Sequence, residues 1–404
     1  MIFIVSVSFF ALIASEVVLQ AIVRYFRKDF QWLITEKDEY PEFDKDAFRK
    51  FIKSSYDKEL GWVRKPNTNG IERGKYGNIT YYIDEVGSRK NTITGETSIV
   101  TFGDSYTFCR QVEDSQTWQF FLSKELGDKV LNFGVGNYGA DQALLYYQRQ
   151  TTPITTKVVI LGFVPETICR VQSYWKHYLE FGNIFAFKPM FTLENGKLAH
   201  HKNLIGNLGG LSDIDEAIKF AKNKDLFYKS KFRRFQFRFP YLLRYLLNFQ
   251  RHSVLFYLLA RKKIFSAFRI KNSNVENAPF SKIMLDNIKY SHDMYGSSYA
   301  CNLLEKILVK FCDEAYRRGH KPLVLVMPQL IDIKIINKQG NIPYSNFFSK
   351  INDKVPVLDM TTYVNNSNVE DLYTDDMYGG HFSELGNKLV ADKVLHYLKN
   401  KVLQ

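Results

Sequence analysis

Residues 98–112 read SIVTFGDSYTFCRQV, an apolar run that stops at a glycine, an acid and a serine. A continuous apolar run bounded by turn formers suits a strand covered on both faces, since a strand wetted on one face would alternate apolar and polar residues. The signature recurs in KVLNFG (129–134), KVVILGF (157–163), KPLVLVMP (321–328) and VPVLDM (355–360). Between these runs, apolar residues at helical spacing predict helices over 117–126, 140–150, 301–318 and 383–399, the last with Ser383 as N-cap. Strand and helix in alternation predict an α/β sandwich with a mostly parallel sheet.

The remaining organisation follows from where this alternation is absent. Residues 1–26 are apolar, and 27–96 form a polar, aromatic lead-in with one strand-like run, NITYYI, and no chemistry of its own. The sandwich occupies 97–169 and 300–404, and 170–299 is a basic, aromatic, largely helical insertion. With 404 residues, 45% of them hydrophobic, the chain is long and apolar enough to bury a full core, which excludes a disordered protein.

The formal charge of +13 is concentrated in one segment. Residues 219–271 hold fifteen Lys and Arg against the single acid Asp225, a net +14 that leaves the rest at −1. A nucleic-acid groove would use such cations on phosphates, but runs such as LLRYLLNF and VLFYLLA are more apolar than a solvated groove needs. A membrane-surface helix pair and an amphipathic helical subdomain are the two readings that remain, and nucleic acid is not expected as a partner. The four cysteines, Cys109, Cys169, Cys301 and Cys312, have neither zinc-ligand spacing nor a small secreted chain around them, so thiols are expected and no metal site.

The N-terminal stretch MIFIVSVSFFALIASEVVLQAIV is about long enough to cross a bilayer and is followed by Arg24, Arg27 and Lys28. It lacks a basic leading region and a clean cleavage site, so it reads as a single-span signal anchor, interrupted by Glu16 at some cost. Counting Lys and Arg beside the span would keep the downstream chain on the cytoplasmic side.

In an open parallel sheet, ligands bind beyond the carboxyl ends of the strands, which is where Ser105 falls. A serine hydroxyl needs a neighbouring base to act as a nucleophile. Of eight histidines, His381 has the fitting context: a loop of turn formers, DDMYGGHFSELGN, just before the final helix.

FGDSYTF (102–108), NFGVGNYGADQALL (132–145) and GGHFSELGN (379–387), in that order, resemble the SGNH (GDSL-type) hydrolase superfamily, especially its bacterial membrane-anchored members. ELGWVRKPNTNG (59–70) and IDEVGSRK (83–90) also resemble segments that precede the GDS block there. The resemblance implies a flavodoxin-like three-layer α/β/α domain, placed outside the cytoplasm, that needs no metal or cofactor. Ser105 would be the nucleophile and an oxyanion donor through its own amide, Asp104 the acid bracing the turn, and His381 the base. Gly136 and Asn137 align with the oxyanion loop, Asn137 standing where the family has glycine. Thr167 stands where the family presents an asparagine donor, and the Asn137 side chain, which the family's glycine lacks, would substitute for that lost amide. The orienting acid of the family falls on Tyr378, so Asp376, five residues before His381, or Asp375 would serve instead, unless a backbone carbonyl orients the imidazole.

The implied function is a serine esterase acting on a small acyl group, such as O-acetyl, on a cell-surface glycan or lipid. An O-acyltransferase using the same triad and a non-catalytic glycan-binding or assembly protein are the alternatives. Membrane contact is expected through the N-terminal helix, and the insertion is a further candidate. Cys109 reads as a packing residue on the helix opening after Ser105. Asp141 and Gln142 read as serving a helix N-terminus, and Arg170, Trp175 and Lys176 as either substrate contacts or structural ion pairs.

Overall fold

The computed structural model describes residues 2–26, 32–151, 153, 155–205, 212–364, 368–374 and 380–401. It divides into two compact units, Met1–Phe48 with Trp175–Ala186 and Ile218–Asn287, and Arg49–Tyr174 with Phe187–Ala217 and Ile288–Gln404.

The first unit contains α1 (Ile2–Phe26), in which Val7–Tyr25 is long and apolar enough to cross a membrane. Leu19 and Val23 of α1 pack on a small core of Leu33, Phe237, Leu255 and Leu259. Lys176 pairs with Glu180 at 2.9 Å, and the buried Trp175 N–H donates to Asp225, so both residues are engaged within the unit. The imidazole of His177 contacts Asp38 O at 2.7 Å, and burial pushes its pKa down to about 4.

The second unit is the α/β/α sandwich. Its sheet is parallel throughout, formed by β1 (Thr97–Gly103), β2 (Lys129–Gly134), β3 (Val158–Phe163), β4 (Lys321–Val326) and β5 (Val357–Asp359) in the order β2-β1-β3-β4-β5. This is the flavodoxin-like order, and its topological switch point lies between β1 and β3. Alternate residues of each strand face opposite layers. Ile99, Val130, Val158, Ile160, Leu323 and Leu325 share one core with Trp118 and Leu122 of α3 (Trp118–Leu126) and Val390 and Val394 of the C-terminal helix Glu384–Lys401. On the other face Phe102 stacks on Phe133 at 5.2 Å and meets Tyr146 and Tyr147 of α4 (Ala140–Arg149), and Tyr147 reaches Phe311 of α5 (Ser298–Arg317).

Segment 170–299, expected as one largely helical insertion, contributes to both units. Its residues Met190–Glu194 and Lys197–His201 form an antiparallel hairpin in the second, where Asn195 and Gly196 turn with φ of 51° and 74°. Asp141 does more than serve the start of α4: it is fully buried and ion-paired with Lys188, which also donates to Pro189 O. The sequence pattern missed this because the partner is 47 residues away.

Candidate active site

The carboxyl ends of β1, β2 and β3 meet in register at three glycines, Gly103 opposite both Gly134 and Gly162. A Cβ on Gly134 would stand 2.2 Å from Phe108 N, and one on Gly162 would stand 2.0 Å from Thr107 Oγ1. The missing side chains let the four-residue turn α2 (Ser105–Phe108) press directly on the strand ends. Asp104 caps that turn: Oδ1 accepts from Tyr106 N at 2.9 Å, and Oδ2 accepts from Val164 N at 3.2 Å, tying the end of β1 to the end of β3. Burial pushes the Asp104 carboxyl up to about 6 against the opposing pull of the Arg170 guanidinium and these two N–H bonds. Ser105 thus stands at the switch point of the sheet, half-buried.

The turn does not run on into a longer helix. Cys109, expected on such a helix, ends it in the left-handed region with φ 59°, and Gln111 follows with φ 71°. Cys109 is buried, which pushes its thiol up to about 12 and makes it packing rather than a nucleophile. The strained exit is held by Arg89, 1% exposed, whose guanidinium donates to Phe108 O at 2.7 Å, Cys109 O at 2.6 Å and Val112 O, and pairs with Asp114 at 2.7 Å.

Opposite Ser105 Oγ, His381 Nε2 lies at 2.9 Å. The backbone on either side of that histidine is pinned: Thr374 N donates to His381 O at 2.8 Å, Ser383 N donates to Leu372 O at 2.8 Å, and Tyr373 bridges Phe382. Thr374 Oγ1 is in turn 3.1 Å from Gln111 Oε1. Tyr106 lays its ring 4.9 Å from the imidazole and donates its hydroxyl to Gly380 O. Burial pushes the His381 pKa down to about 3, and the guanidinium groups of Arg110 and Arg170 add to the shift. The imidazole is therefore neutral at physiological pH, the form a general base requires. Ser383 carries the N-cap position expected of it, its Oγ accepting from Gly386 N at 3.3 Å.

Asn137 lies in a turn closed by Tyr138 N to Val135 O at 3.3 Å, is exposed, and has φ 68°, a left-handed conformation that asparagine tolerates better than most residues. Val135 N donates to Gly103 O at 3.0 Å, which binds this turn to the strand end carrying Ser105. Gly136 O accepts from Trp62 Nε1 at 3.0 Å. Thr167 is buried with its hydroxyl donated to Val164 O at 2.7 Å, so that proton is committed to the backbone. Arg170 pairs with Glu166 at 2.9 Å and donates to Tyr138 O at 3.3 Å, the structural role of the two read from the sequence. Asp376, with Asp375 and Tyr378, lies outside the described residues.

The sequence reading missed the lead-in. Arg89 and Trp62 brace the Ser105 turn and the Asn137 turn, yet neither belongs to a periodic pattern that would single it out. The blocks containing them, ELGWVRKPNTNG and IDEVGSRK, were the available signal.

No family model matches the chain, and no curated protein matches it. Among solved structures, one aligns with TM-score 0.37 and 13% identity over 76% of this chain and 97% of its own. Another, from Desulfitobacterium hafniense DCB-2 and named by family assignment as a lipolytic protein of the G-D-S-L family, aligns with TM-score 0.31 and 11% identity over 74% of this chain and 99% of its own.

Proposed function

We propose that the protein is a serine esterase of the SGNH type, and the observation that carries this reading is the 2.9 Å separation of Ser105 Oγ and His381 Nε2 at the switch point of the sheet. In this reading Ser105 Oγ attacks the ester carbonyl carbon as its proton passes to the neutral His381 Nε2. The tetrahedral oxyanion is held by the Ser105 amide and by donors of the 135–138 turn, Asn137 foremost. Collapse breaks the acyl–oxygen bond, and His381 returns the proton to the departing alcohol. A water molecule, deprotonated by the same imidazole, then attacks the acyl-serine and regenerates the enzyme. Asp376 is the proposed orienting acid for His381.

The substrate is proposed to be a small acyl ester on a glycan or lipid near a membrane, with α1 as the tether and the catalytic unit outside the cytoplasm. Support for the tether comes from the apolar length of Val7–Tyr25. The test is fluorophosphonate labelling of the full-length protein beside Ser105→Ala and His381→Ala. Labelling of the wild type that vanishes in both variants is expected, and a folded wild type that stays unlabelled would sink the esterase reading.

One observation favours a second reading, a glycan-binding protein without catalysis: Thr167, in place of an amide donor, has its hydroxyl committed to Val164 O. Binding of an acylated glycan that is unchanged in Ser105→Ala, with no turnover in the wild type, would establish it.

A further inference from the structure

Glu16 lies in the middle of the apolar helix α1, where a carboxylate in hydrocarbon needs hydrogen-bond partners. It has them: Oε2 accepts from Tyr241 N at 2.8 Å and Oε1 accepts from Leu242 N at 3.1 Å. These are the first N–H groups of the helix Tyr241–Leu247, groups that no intrahelical acceptor can satisfy. Each side thereby supplies what the other lacks. Sequence reading counted Glu16 only as a cost to the span.

The bond also fixes a depth. If α1 spans with Arg24 at the headgroups, Glu16 lies about eight residues further in, roughly 12 Å at 1.5 Å per residue, and it draws the start of the helix Tyr241–Leu247 to that level. The surface presented there is apolar: Phe239, Leu243, Leu246 and Leu247 are exposed, Phe239 by 69% and Leu247 by 62%. The following helix, Phe249–Ala267, buries His252, Leu255 and Leu259 but leaves Val254, Tyr257 and Ile264 exposed, and Phe268 continues the line just beyond its end, so it is apolar on two sides. A helix in water has no use for the second apolar stripe. At the bend between the two helices Asn248 bonds to the backbone on both sides, as a site without water favours. Asn248 N donates to Arg244 O and Tyr245 O, and its side chain donates to Arg234 O at 3.2 Å. The exposed cations Arg233, Arg234, Arg269 and Lys271 flank residues 239–268 in the sequence, Arg261 and Lys263 lie in the last two turns of the second helix, and the stretch 219–271 that holds them all has one acid.

We propose that residues 239–268 form a re-entrant helical hairpin that enters one leaflet of the bilayer beside α1, with the flanking cations on anionic headgroups. The occupant of the exposed apolar surface is lipid. This rests on α1 spanning the membrane, and the experiment separates the two claims.

Full-length protein carrying an environment-sensitive NBD probe at Leu246→Cys is reconstituted into phosphatidylcholine/phosphatidylglycerol vesicles, with Leu12→Cys in α1 and the exposed Lys338→Cys as reference positions and the unsubstituted protein as labelling blank. The expected result at position 246 is quenching by lipids bearing nitroxide on the acyl chain, with at least about fivefold less iodide quenching than at position 338. Lipid quenching at 12 with iodide access at 246 equal to that at 338 overturns the hairpin and leaves the span standing. Iodide access at 12 overturns both. Protection from iodide at 246 without lipid quenching shows that protein covers the surface, such as a second copy, and also overturns the proposal. Equal protection in vesicles of phosphatidylcholine alone overturns the preference for anionic headgroups. Leu247→Cys reads the same surface if the substitution at 246 disturbs folding.

Discussion

Tyr106 lies over His381, ring centroids 4.9 Å apart, and donates its hydroxyl to the carbonyl of Gly380. The residue after Ser105 therefore holds the backbone beside His381. The turn that carries Ser105 and the loop that carries His381 are thus tied to each other directly. Tyr106→Phe keeps the ring and removes the bond. On the proposed mechanism it lowers kcat by about tenfold or more with little change in KM, because a small misplacement of a catalytic group is costly. Steady-state kinetics on a small ester checks this, and an unchanged kcat would show that packing alone positions the histidine.

Arg89 is the second positioning device. Its guanidinium serves three buried carbonyls at the exit of the turn and one half-buried carboxylate. Arg89→Met fills much of the volume but leaves Asp114 and three acceptors without their donor, so a loss of about 3–5 kcal/mol is expected. Urea unfolding at neutral pH measures it. A loss below about 1 kcal/mol would mean that water replaces the guanidinium.

The glycine that ends β2 and the glycine of the turn after it behave oppositely. At Gly134 an added Cβ meets Phe108 N at 2.2 Å, a backbone atom that cannot turn aside, whereas at Gly136 nothing lies within 4 Å. Gly134→Ala is expected to destabilise by about 2–3 kcal/mol or more and to displace Ser105, and Gly136→Ala to stay within about 1 kcal/mol of wild type. Thermal midpoints of the two variants, read side by side, check the contrast.

The five strands were legible because each is a short continuous apolar run closed by turn residues, a pattern that suits a sheet covered on both faces. Their order β2-β1-β3-β4-β5 was not readable from periodicity, and came as an expectation from the resemblance of the GDS, Asn137 and His381 blocks. Ser105 and His381 were found because both sit in short turn-rich loops. Arg89, Trp62 and Lys188 were not, since each acts on a distant partner: Trp62 reaches Gly136 across 74 positions and Lys188 reaches Asp141 across 47. The division of segment 170–299 between two units was hidden for the same reason, because composition registers its charge but not its contacts.

The pH dependence follows from the neutral imidazole. His381 has its pKa pushed down from 6.5 to about 3 by burial, with Arg110 and Arg170 adding to it. A base with a depressed pKa stays unprotonated as pH falls through 6.5, and activity is lost only as pH approaches the lowered value. The acid limb of kcat/KM is therefore expected below pH 6. Arg110→Ala removes one of the opposing charges and moves that limb upward. A limb at or above 6.5, unmoved by Arg110→Ala, would show that another group controls it.

The last test concerns the oxyanion. Thr167 stands where the resemblance places an amide donor, but its hydroxyl is given to Val164 O at 2.7 Å. Thr167→Val removes a bond to the backbone and no donor to the substrate, so it is expected to lower kcat by less than about fivefold, since a neutral hydrogen bond contributes about 1 kcal/mol. Asn137 differs: it is exposed, held with φ 68° in a turn bonded to the end of β1, and carries the amide that glycine would lack. If its side chain supplies the missing donor, Asn137→Ala lowers kcat by roughly 10²- to 10³-fold with KM nearly unchanged. Asn137→Gly gives the same loss while relieving the left-handed backbone, which separates the amide's chemistry from turn geometry. Full activity in Asn137→Gly would leave the backbone N–H groups as the whole oxyanion hole. A loss in Asn137→Ala that Asn137→Gly restores would assign the effect to strain in the turn.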